Sequence, residues 1–218
     1  MFDFTELIDS LYKGDSTKAL VLTSQALEAQ IPAKEILEEG LIPAMDMVGS
    51  QFASGEIYFP ELLLAGEAMK EAQELLEPQL SKGGGYSLGK YAIGTVEGDV
   101  HDIGKNIVIM MLEGNRWEVT DLGIDVSPEQ FCEAVAKGDY DILGLGAYVS
   151  LSMPVMEATI RALTEAGLRD KVKIMVGGVP VTQEFADRIG ADAYGATAVD
   201  AVTNARGLME GGKGGTAR

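Results

Sequence analysis

Residues 91–106, YAIGTVEGDVHDIGKN, decide the fold of the second half of the chain. YAIGTV is a short apolar run of the kind that forms a buried strand, and a helix-like segment follows at 103–113. Similar apolar runs occur further along: WEVTDL (117–122), DILGLGAY (141–148), VKIMVGG (172–178) and the shorter ADAYG (191–195). Helix-like segments follow them at 128–137, 154–167, 182–189 and 199–209. This alternation predicts an α/β fold for residues 90–210, with a flavodoxin-like (Rossmann-like), doubly wound, five-stranded parallel sheet.

The first 80 residues have a helical pattern instead. After Pro60, apolar side chains recur at steps of three and four: Leu62, Ala65, Met69, Ala72 and Leu76. This spacing places them on one helix face, which must pack against other apolar surface. We therefore predict an N-terminal small helical bundle over residues 1–80. SKGGGYSLG (81–89) predicts a flexible linker, and the glycine-rich end at 211–218 predicts a disordered tail.

Charge and residue usage exclude several classes of function. The chain has 218 residues, with 34 acidic against 17 basic side chains and a net charge of −17 at pH 7. Such a surface repels nucleic acid and anionic membranes, so neither is an expected partner. Cys132 is the only cysteine and His101 the only histidine, which excludes an internal disulfide and a four-ligand zinc site. We see no signal peptide or membrane-spanning run, and we expect a cytoplasmic protein.

The loop after the first strand, EGDVHDIGKN (97–106), is the main candidate for a functional site. Ligands of open α/β sheets bind beyond the carboxyl ends of the strands. The loop lacks the G-x-G-x-x-G pattern of dinucleotide sites and the Gly-Lys-Ser/Thr ending of phosphate loops, which disfavours NAD, FAD and ATP. A structural interpretation stays open, in which Asp99 caps the following helix, Gly104 permits close packing and His101 is an exposed loop residue.

Asp99 and His101 also suit a metal ligand and its hydrogen-bond acceptor. A neutral imidazole binds a metal through one nitrogen, while its other N–H needs an acceptor. Because the chain has one His and no Cys close to it in sequence, it offers a single strong ligand at this loop, and the metal must bring most of its coordination with it, inside a macrocycle such as haem or a corrinoid. Gly104, one helical turn beyond the histidine, would leave room for a bulky group beside the helix.

GDVHDIGKN (98–106) resembles the cobalamin-binding motif D-x-H-x-x-G, and an S-x-L-x-T-like segment and a Gly-Gly pair follow at suitable distances. The helical stretch IPAMDMVGSQFASGEIYFPELLLAGEAM (42–69) is similar to the domain that precedes this motif in methyl-carrying proteins. Nearly the whole chain thus resembles the corrinoid proteins of methylotrophic and acetogenic methyltransferase systems, which are related to the cobalamin-binding module of methionine synthase.

The resemblance implies a methyl carrier that is not an enzyme on its own. It would accept a methyl group on cobalt from a substrate-specific methyltransferase. It would then pass that group to an acceptor methyltransferase, with tetrahydrofolate or a thiol as final acceptor. The implied cofactor is cobalamin, which alternates between methylcobalamin and cob(I)alamin, and a reductive activase is the third implied partner. The helical domain would cover the upper face of the corrin.

The resemblance also implies roles for individual residues. His101 would be the lower axial cobalt ligand, Asp99 would accept its other imidazole N–H, and Ser152 would extend this catalytic relay to solvent. Gly104 would flank the nucleotide tail of the cofactor, and the Gly177–Gly178 pair would let backbone approach it. The full set of implied cofactor contacts is Gly98, Asp99, His101, Asp102, Ile103, Gly104, Ser150, Ser152, Gly177 and Gly178.

Other functions remain open from the sequence. Adenosylcobalamin-dependent mutases use a similar module, although a helical cap is not expected in front of it. Cobalamin-dependent regulators share both domains but add a basic DNA-binding module, and a domain for a different ligand is a weaker alternative. Gly146 and Tyr148 stand where the family pattern has Ser and Leu. The methyl donor stays undetermined among methylamines, methanol, methoxylated aromatics and betaines.

Overall fold

The computed structural model describes residues 2–80 and 87–211. These fall into two compact units: the helices before residue 88 together with Glu113–Arg116, and the sheet with its helices. Residues 81–86 of the predicted linker and 212–218 of the predicted tail lie outside the described residues. Gly89, the last residue of the predicted linker, begins the first strand, and Gly211 ends the last helix.

The first unit is helical, as predicted. Its helices are α1 Thr5–Tyr12, α2 Ser16–Glu28, α3 Ala33–Ile36, α4 Ile42–Ser54 and α5 Phe59–Leu80, with a π-helical turn at Leu37–Leu41 between α3 and α4. The predicted apolar face of α5 is confirmed, since all five of its side chains are buried. They pack with α1, α2 and α4 into a core that includes Leu11 and Met45. In the described ranges, no helix has the length and apolar content needed to cross a membrane.

The second unit is a parallel five-stranded sheet with interleaved helices, which confirms the predicted α/β fold. The strands are β1 Gly89–Val96, β2 Trp117–Val126, β3 Ile142–Gly146, β4 Lys173–Gly177 and β5 Ala193–Gly195, in the order β2-β1-β3-β4-β5. The helices are α6 Ile103–Gly114, α7 Pro128–Lys137, α8 Met153–Glu165, α9 Gln183–Ile189 and α10 Ala198–Gly211.

The strand order creates a reversal between β1 and β3. From β1 the chain moves outward to β2, and it then returns past β1 to β3 and continues through β4 to β5. Because such crossovers are right-handed, α6 covers one face of the sheet and α7, α8 and α9 cover the other. Thr95 near the end of β1 pairs with Gly146 at the end of β3, so the loops after these two strands are neighbours. This is the position at which doubly wound sheets bind ligands.

A buried apolar core lies beneath these loops. Phe131 of α7 and Met156 of α8 have no exposed surface and pack with Leu143 of β3 and Val176 of β4. Closely packed cores of this kind resist deformation. The strand ends therefore form a fixed base for the loops that follow them.

Several strand boundaries differ from the sequence prediction, and two of these differences concern the site. The run at 141–148 was expected to be strand throughout, but β3 ends at Gly146, and Tyr148 lies in the loop beyond it. β2 continues past the predicted end at Leu122 to Val126, with register shifts opposite Gly94. Positive φ angles at Gly123 (91°) and Asp125 (55°) accommodate these shifts, and apolar patterning does not reveal them.

Candidate functional site

The site is built from the loops that follow β1 and β3. The β1 loop carries Asp99 and His101, and the β3 loop carries Tyr148, Val149 and Ser152. Because the two strands are hydrogen-bonded neighbours, residues about fifty positions apart in sequence meet at one edge of the sheet. The structure thus brings together the three residues predicted to form the relay.

Asp99 is the central residue of the hydrogen-bond network of this site, and its side chain is buried. Its Oδ1 lies 2.7 Å from Nδ1 of His101 and accepts the backbone N–H of the same residue at 3.2 Å. Its Oδ2 accepts the backbone N–H groups of Tyr148 at 2.6 Å and Val149 at 3.0 Å, and the hydroxyl of Ser152 at 2.9 Å. One carboxylate therefore joins both loops and satisfies five donors.

These hydrogen bonds fix the charge state of Asp99. Burial alone would raise the pKa of the carboxyl group, since a charge is costly away from water. Hydrogen bonds from the Tyr148 N–H, the His101 ring, the Val149 N–H and the His101 N–H outweigh burial and hold this pKa well below its ordinary range. Asp99 is consequently an anion at neutral pH and can only accept hydrogen bonds.

An ionised Asp99 determines which nitrogen of His101 is free. Since the carboxylate cannot donate, the short contact requires the imidazole to carry its proton on Nδ1. The lone pair of a neutral ring then lies on Nε2, for which the described part of the chain provides no hydrogen-bond donor. The His101 side chain is 50% exposed, so Nε2 is available to a ligand from outside. The arrangement is that of a metal-binding histidine oriented by a carboxylate.

Ser152 also lies within hydrogen-bond distance of Asp99, but its hydroxyl has a single hydrogen to donate. Its Oγ lies 2.9 Å from Oδ2 of Asp99 and 2.8 Å from the carbonyl oxygen of Val149, so the hydroxyl donates to one or shares between them. Ser152 is almost completely buried at the start of α8. The predicted extension of the relay from this hydroxyl to solvent remains a prediction.

A second set of contacts holds the histidine loop in place. The hydroxyl of Thr95 donates to the carbonyl of His101 at 3.0 Å. Asp125, at the end of β2, donates its N–H to the carbonyl of Asp99 at 3.1 Å and accepts the N–H of Gly98 on Oδ1 at 2.7 Å. Sequence reasoning missed both Thr95 and Asp125. Asp125 has φ of 55°, a left-handed conformation that aspartate tolerates better than most residues.

Tyr148 is a further residue that the sequence did not assign to the site. Its ring stacks on the imidazole of His101, with 4.3 Å between ring centroids and 25° between ring planes. Because Tyr148 extends the apolar run at 141–148, the sequence predicts a strand position for it. The strand ends at Gly146, and Tyr148 lies in the loop that follows.

Exposed apolar side chains lie in or near the loops at the carboxyl ends of the first four strands. They are Val100, Ile103, Ile124, Tyr148, Leu151 and Val179. Leu151 is 93% exposed, which is unusual for leucine in a folded domain. An apolar rim around a polar centre is typical of a surface that binds a large ligand.

The glycines of the site fall into two groups. A Cβ at Gly98 or Gly104 would meet no atom within 4 Å, so open space adjoins the loop and the first turn of α6. At Gly177 a Cβ would lie 2.8 Å from the carbonyl oxygen of Gly195, and at Gly178, with φ of 116°, it would overlap the carbonyl of Ala147. The fold itself thus requires the Gly177–Gly178 pair, whatever its part in ligand binding.

Two remaining candidates, within the described residues, form no hydrogen bond with the Asp99 side chain. Asp102 accepts from the side chain of Asn106 at 3.4 Å on the exposed side of the loop. Ser150 is exposed at the turn between β3 and α8, and no hydrogen bond of its hydroxyl joins it to the described residues. Their predicted cofactor contacts stay predictions.

These features fit a macrocyclic metal cofactor. The described residues contain no cluster of three or more His, Cys, Asp or Glu side chains that would hold a bare metal ion. They do offer one oriented imidazole, an apolar rim and open space beside Gly104. The fold and the site are those expected of a protein that binds a metal macrocycle, and cobalamin is the macrocycle that the D-x-H-x-x-G motif predicts.

Comparison with known proteins agrees with this assignment. A B12 binding domain model matches residues 89–203, and a second B12 binding domain model matches residues 4–77. The chain belongs to the family of B12-binding corrinoid proteins of methylamine and methanol methyltransferase systems.

Three similar proteins illustrate this family. Dimethylamine corrinoid protein 3 of Methanosarcina acetivorans is 41% identical over 94% of this chain and 95% of its own length. The crystal structure of a cobalamin-binding protein from Desulfitobacterium hafniense matches with a TM-score of 0.81 and 33% identity, over 95% of this chain and 99% of that one. The methanol:cobalamin methyltransferase complex of Methanosarcina barkeri contains a chain that matches with a TM-score of 0.79 and 28% identity, over 94% of this chain and 79% of that one.

Proposed function

We propose that this chain is a methyl-carrier protein of a multi-component methyltransferase system. It receives a methyl group from a substrate-specific methyltransferase and delivers it to a second methyltransferase, with tetrahydrofolate or a thiol as acceptor. The observation that supports this most directly is the His101 imidazole, whose Nδ1 is held by Asp99 at 2.7 Å while Nε2 is left for a ligand.

Cobalamin, when bound, supplies a cobalt centre that takes up and releases a methyl group. His101 would hold the cobalt through Nε2. Asp99 keeps a proton on Nδ1 and makes the ring a better donor, because its negative charge stabilises positive charge on the imidazole. A second proton, at Nε2, would compete with the metal for the same lone pair. Proton uptake by the His101–Asp99 pair would therefore weaken the bond between His101 and the cobalt.

Open space and apolar surface would accommodate the rest of the cofactor. The space beside Gly104 suits a chain-like group that runs along the first turn of α6. Val100, Ile103, Leu151 and Val179 would cover apolar parts of the macrocycle, which removes their exposed side chains from water.

The methyl donor that we propose is a methylated amine. This rests on the similarity to a dimethylamine corrinoid protein along almost the whole of both chains. A net charge of −17 favours methyltransferase partners with basic docking surfaces, and such docking weakens as salt is added. No observation favours a mutase subunit or a regulator over the carrier.

The proposal is tested by methyl transfer between purified components. The protein is reconstituted with cobalamin, reduced, and mixed with a dimethylamine methyltransferase and dimethylamine. We expect amine-dependent uptake of about one methyl group per bound cofactor, seen as a change in the absorption spectrum, and its loss on addition of an acceptor methyltransferase. Methanol, a betaine and a methoxylated aromatic, each with its own methyltransferase, identify the donor class. Tight cofactor binding without methyl uptake from any of these donors would contradict the proposal.

A further inference from the structure

The ring of Tyr148 covers one face of the His101 imidazole. The centroids are 4.3 Å apart and the planes differ by 25°, which is stacking rather than edge contact. The tyrosine side chain is otherwise poorly packed, with the residue 52% exposed. Its hydroxyl forms no hydrogen bond within the described ranges, so the ring and not the hydroxyl makes the contact that matters.

Asp99 alone does not fix the imidazole completely. Its hydrogen bond holds the ring at Nδ1, but the ring can still swing about that edge, since half of the side chain is exposed. Contact across the ring face opposes this swing. Because Nε2 lies on the edge of the ring, a stacked neighbour restrains the plane and leaves the Nε2 lone pair open.

The backbone of Tyr148 is itself anchored to the same carboxylate. Its N–H donates to Oδ2 of Asp99 at 2.6 Å, on the side of the carboxylate opposite the histidine. The acceptor that holds Nδ1 and the ring that restrains the imidazole plane therefore belong to one connected group of three residues. A shift of the β3 loop would move both restraints together.

We propose that Tyr148 is a positioning residue that sets the plane of the His101 ring and so prepares Nε2 to bind cobalt. This inference rests on the proposed role of His101 as the lower ligand. It assigns a role to a position at which the sequence departs from the family pattern, where leucine is usual. Because the stacked His101 ring is already held in place, cofactor binding does not have to order it. Loss of the stacking contact should therefore weaken cofactor binding about 2- to 10-fold.

The test compares Tyr148→Leu, which removes the ring, with Tyr148→Phe, which keeps it. Both retain the backbone N–H to Asp99. The first measurement is the proton NMR spectrum of the tag-free protein without cofactor, in which the single histidine gives one isolated pair of ring signals. We expect these signals upfield of their unfolded positions in the wild type and Tyr148→Phe, and close to them in Tyr148→Leu.

The second measurement is a cobalamin titration of the same three proteins by absorption. We expect Tyr148→Phe to bind as the wild type does and Tyr148→Leu to bind about 2- to 10-fold more weakly. Equal affinity of all three proteins, or a phenylalanine variant that behaves like the leucine variant, would overturn the inference. Failure of the proposed role of His101 is separate, because the wild type would then bind no cobalamin or bind it without the spectrum of histidine ligation, whatever residue 148 is.

Discussion

Tyr148 and Asp99 are 49 residues apart in sequence, yet the N–H of Tyr148 donates to Oδ2 of Asp99 at 2.6 Å. This hydrogen bond joins the loop after β1 to the loop after β3 at the point where the strand order reverses. The same carboxylate holds His101 on its other oxygen. The geometry of the candidate cobalt ligand therefore depends on contacts from two loops.

Replacement of Asp99 by Asn should weaken cobalamin binding about 10- to 100-fold, the usual cost of changes behind a metal ligand. The single amide oxygen would face the Tyr148, Val149 and Ser152 donors, and the amide NH₂ would then face Nδ1. Two donors cannot pair, so the imidazole would move its proton to Nε2 and lose the free lone pair. Absorption titration measures the effect, with circular dichroism to verify the fold. Affinity within a factor of two of the wild type would contradict it.

Asp99 should also make the stability of the cofactor-free protein depend on pH. The folded protein holds the pKa of this carboxyl group below its unfolded value of about 3.9. Stabilisation by the ionised group is therefore present above that unfolded value and is lost as the pH falls through the folded value. Urea unfolding at pH 5 and pH 3 should show a difference in unfolding free energy between the wild type and Asp99→Asn that is smaller at pH 3. A difference that is unchanged at pH 3 would rule out a lowered pKa.

Asp125→Ala should destabilise the histidine loop by about 1–3 kcal/mol. The change removes the acceptor of the Gly98 N–H and places alanine at φ of 55°. Asp125→Asn is the matched control, because asparagine tolerates this conformation and its amide oxygen can still accept. Chemical unfolding should place the asparagine variant near the wild type and the alanine variant clearly below it. Equal losses of stability in both variants would show that the charge of the Asp125 carboxylate, rather than its hydrogen bond with the Gly98 N–H, stabilises the loop.

Gly104→Val should reduce cobalamin binding while the fold is retained. A Cβ at this position meets no protein atom within 4 Å, so a side chain there costs the cofactor-free protein little but fills the space proposed for the cofactor. Gly207→Val, in α10, is the control, since a Cβ there also meets nothing within 4 Å. Circular dichroism should show both variants folded, and titration should show weaker binding only for Gly104→Val. Similar affinities of the two variants would show that the cofactor does not lie on this side of α6.

The strands, the helices and the Asp99–His101 pair could be predicted because each leaves a local pattern. The apolar run before Asp99 marks the end of a strand, and the single histidine identifies the strong ligand of the loop that follows. Ser152 came from the family motif, and the neighbouring ends of β1 and β3 explain why it reaches Asp99.

What the sequence did not show depends on tertiary contacts. Asp125 holds the histidine loop through the left-handed end of β2, and hydrophobic patterning carries no signal for such a contact. Tyr148 looked like a strand residue because it extends an apolar run. At Gly178 the carbonyl of Ala147 leaves no room for a side chain, and this steric need for glycine is visible only in the folded structure.

The central claim is that Nε2 of His101 binds the cobalt of cobalamin. The direct test is the absorption spectrum of cobalamin bound to the wild type and to His101→Ala, with free imidazole added to the variant. We predict that the variant binds cobalamin more weakly or with a spectrum that lacks histidine ligation, and that imidazole restores the wild-type spectrum. A variant with the same spectrum and affinity as the wild type would show that another group occupies the lower face of the cofactor.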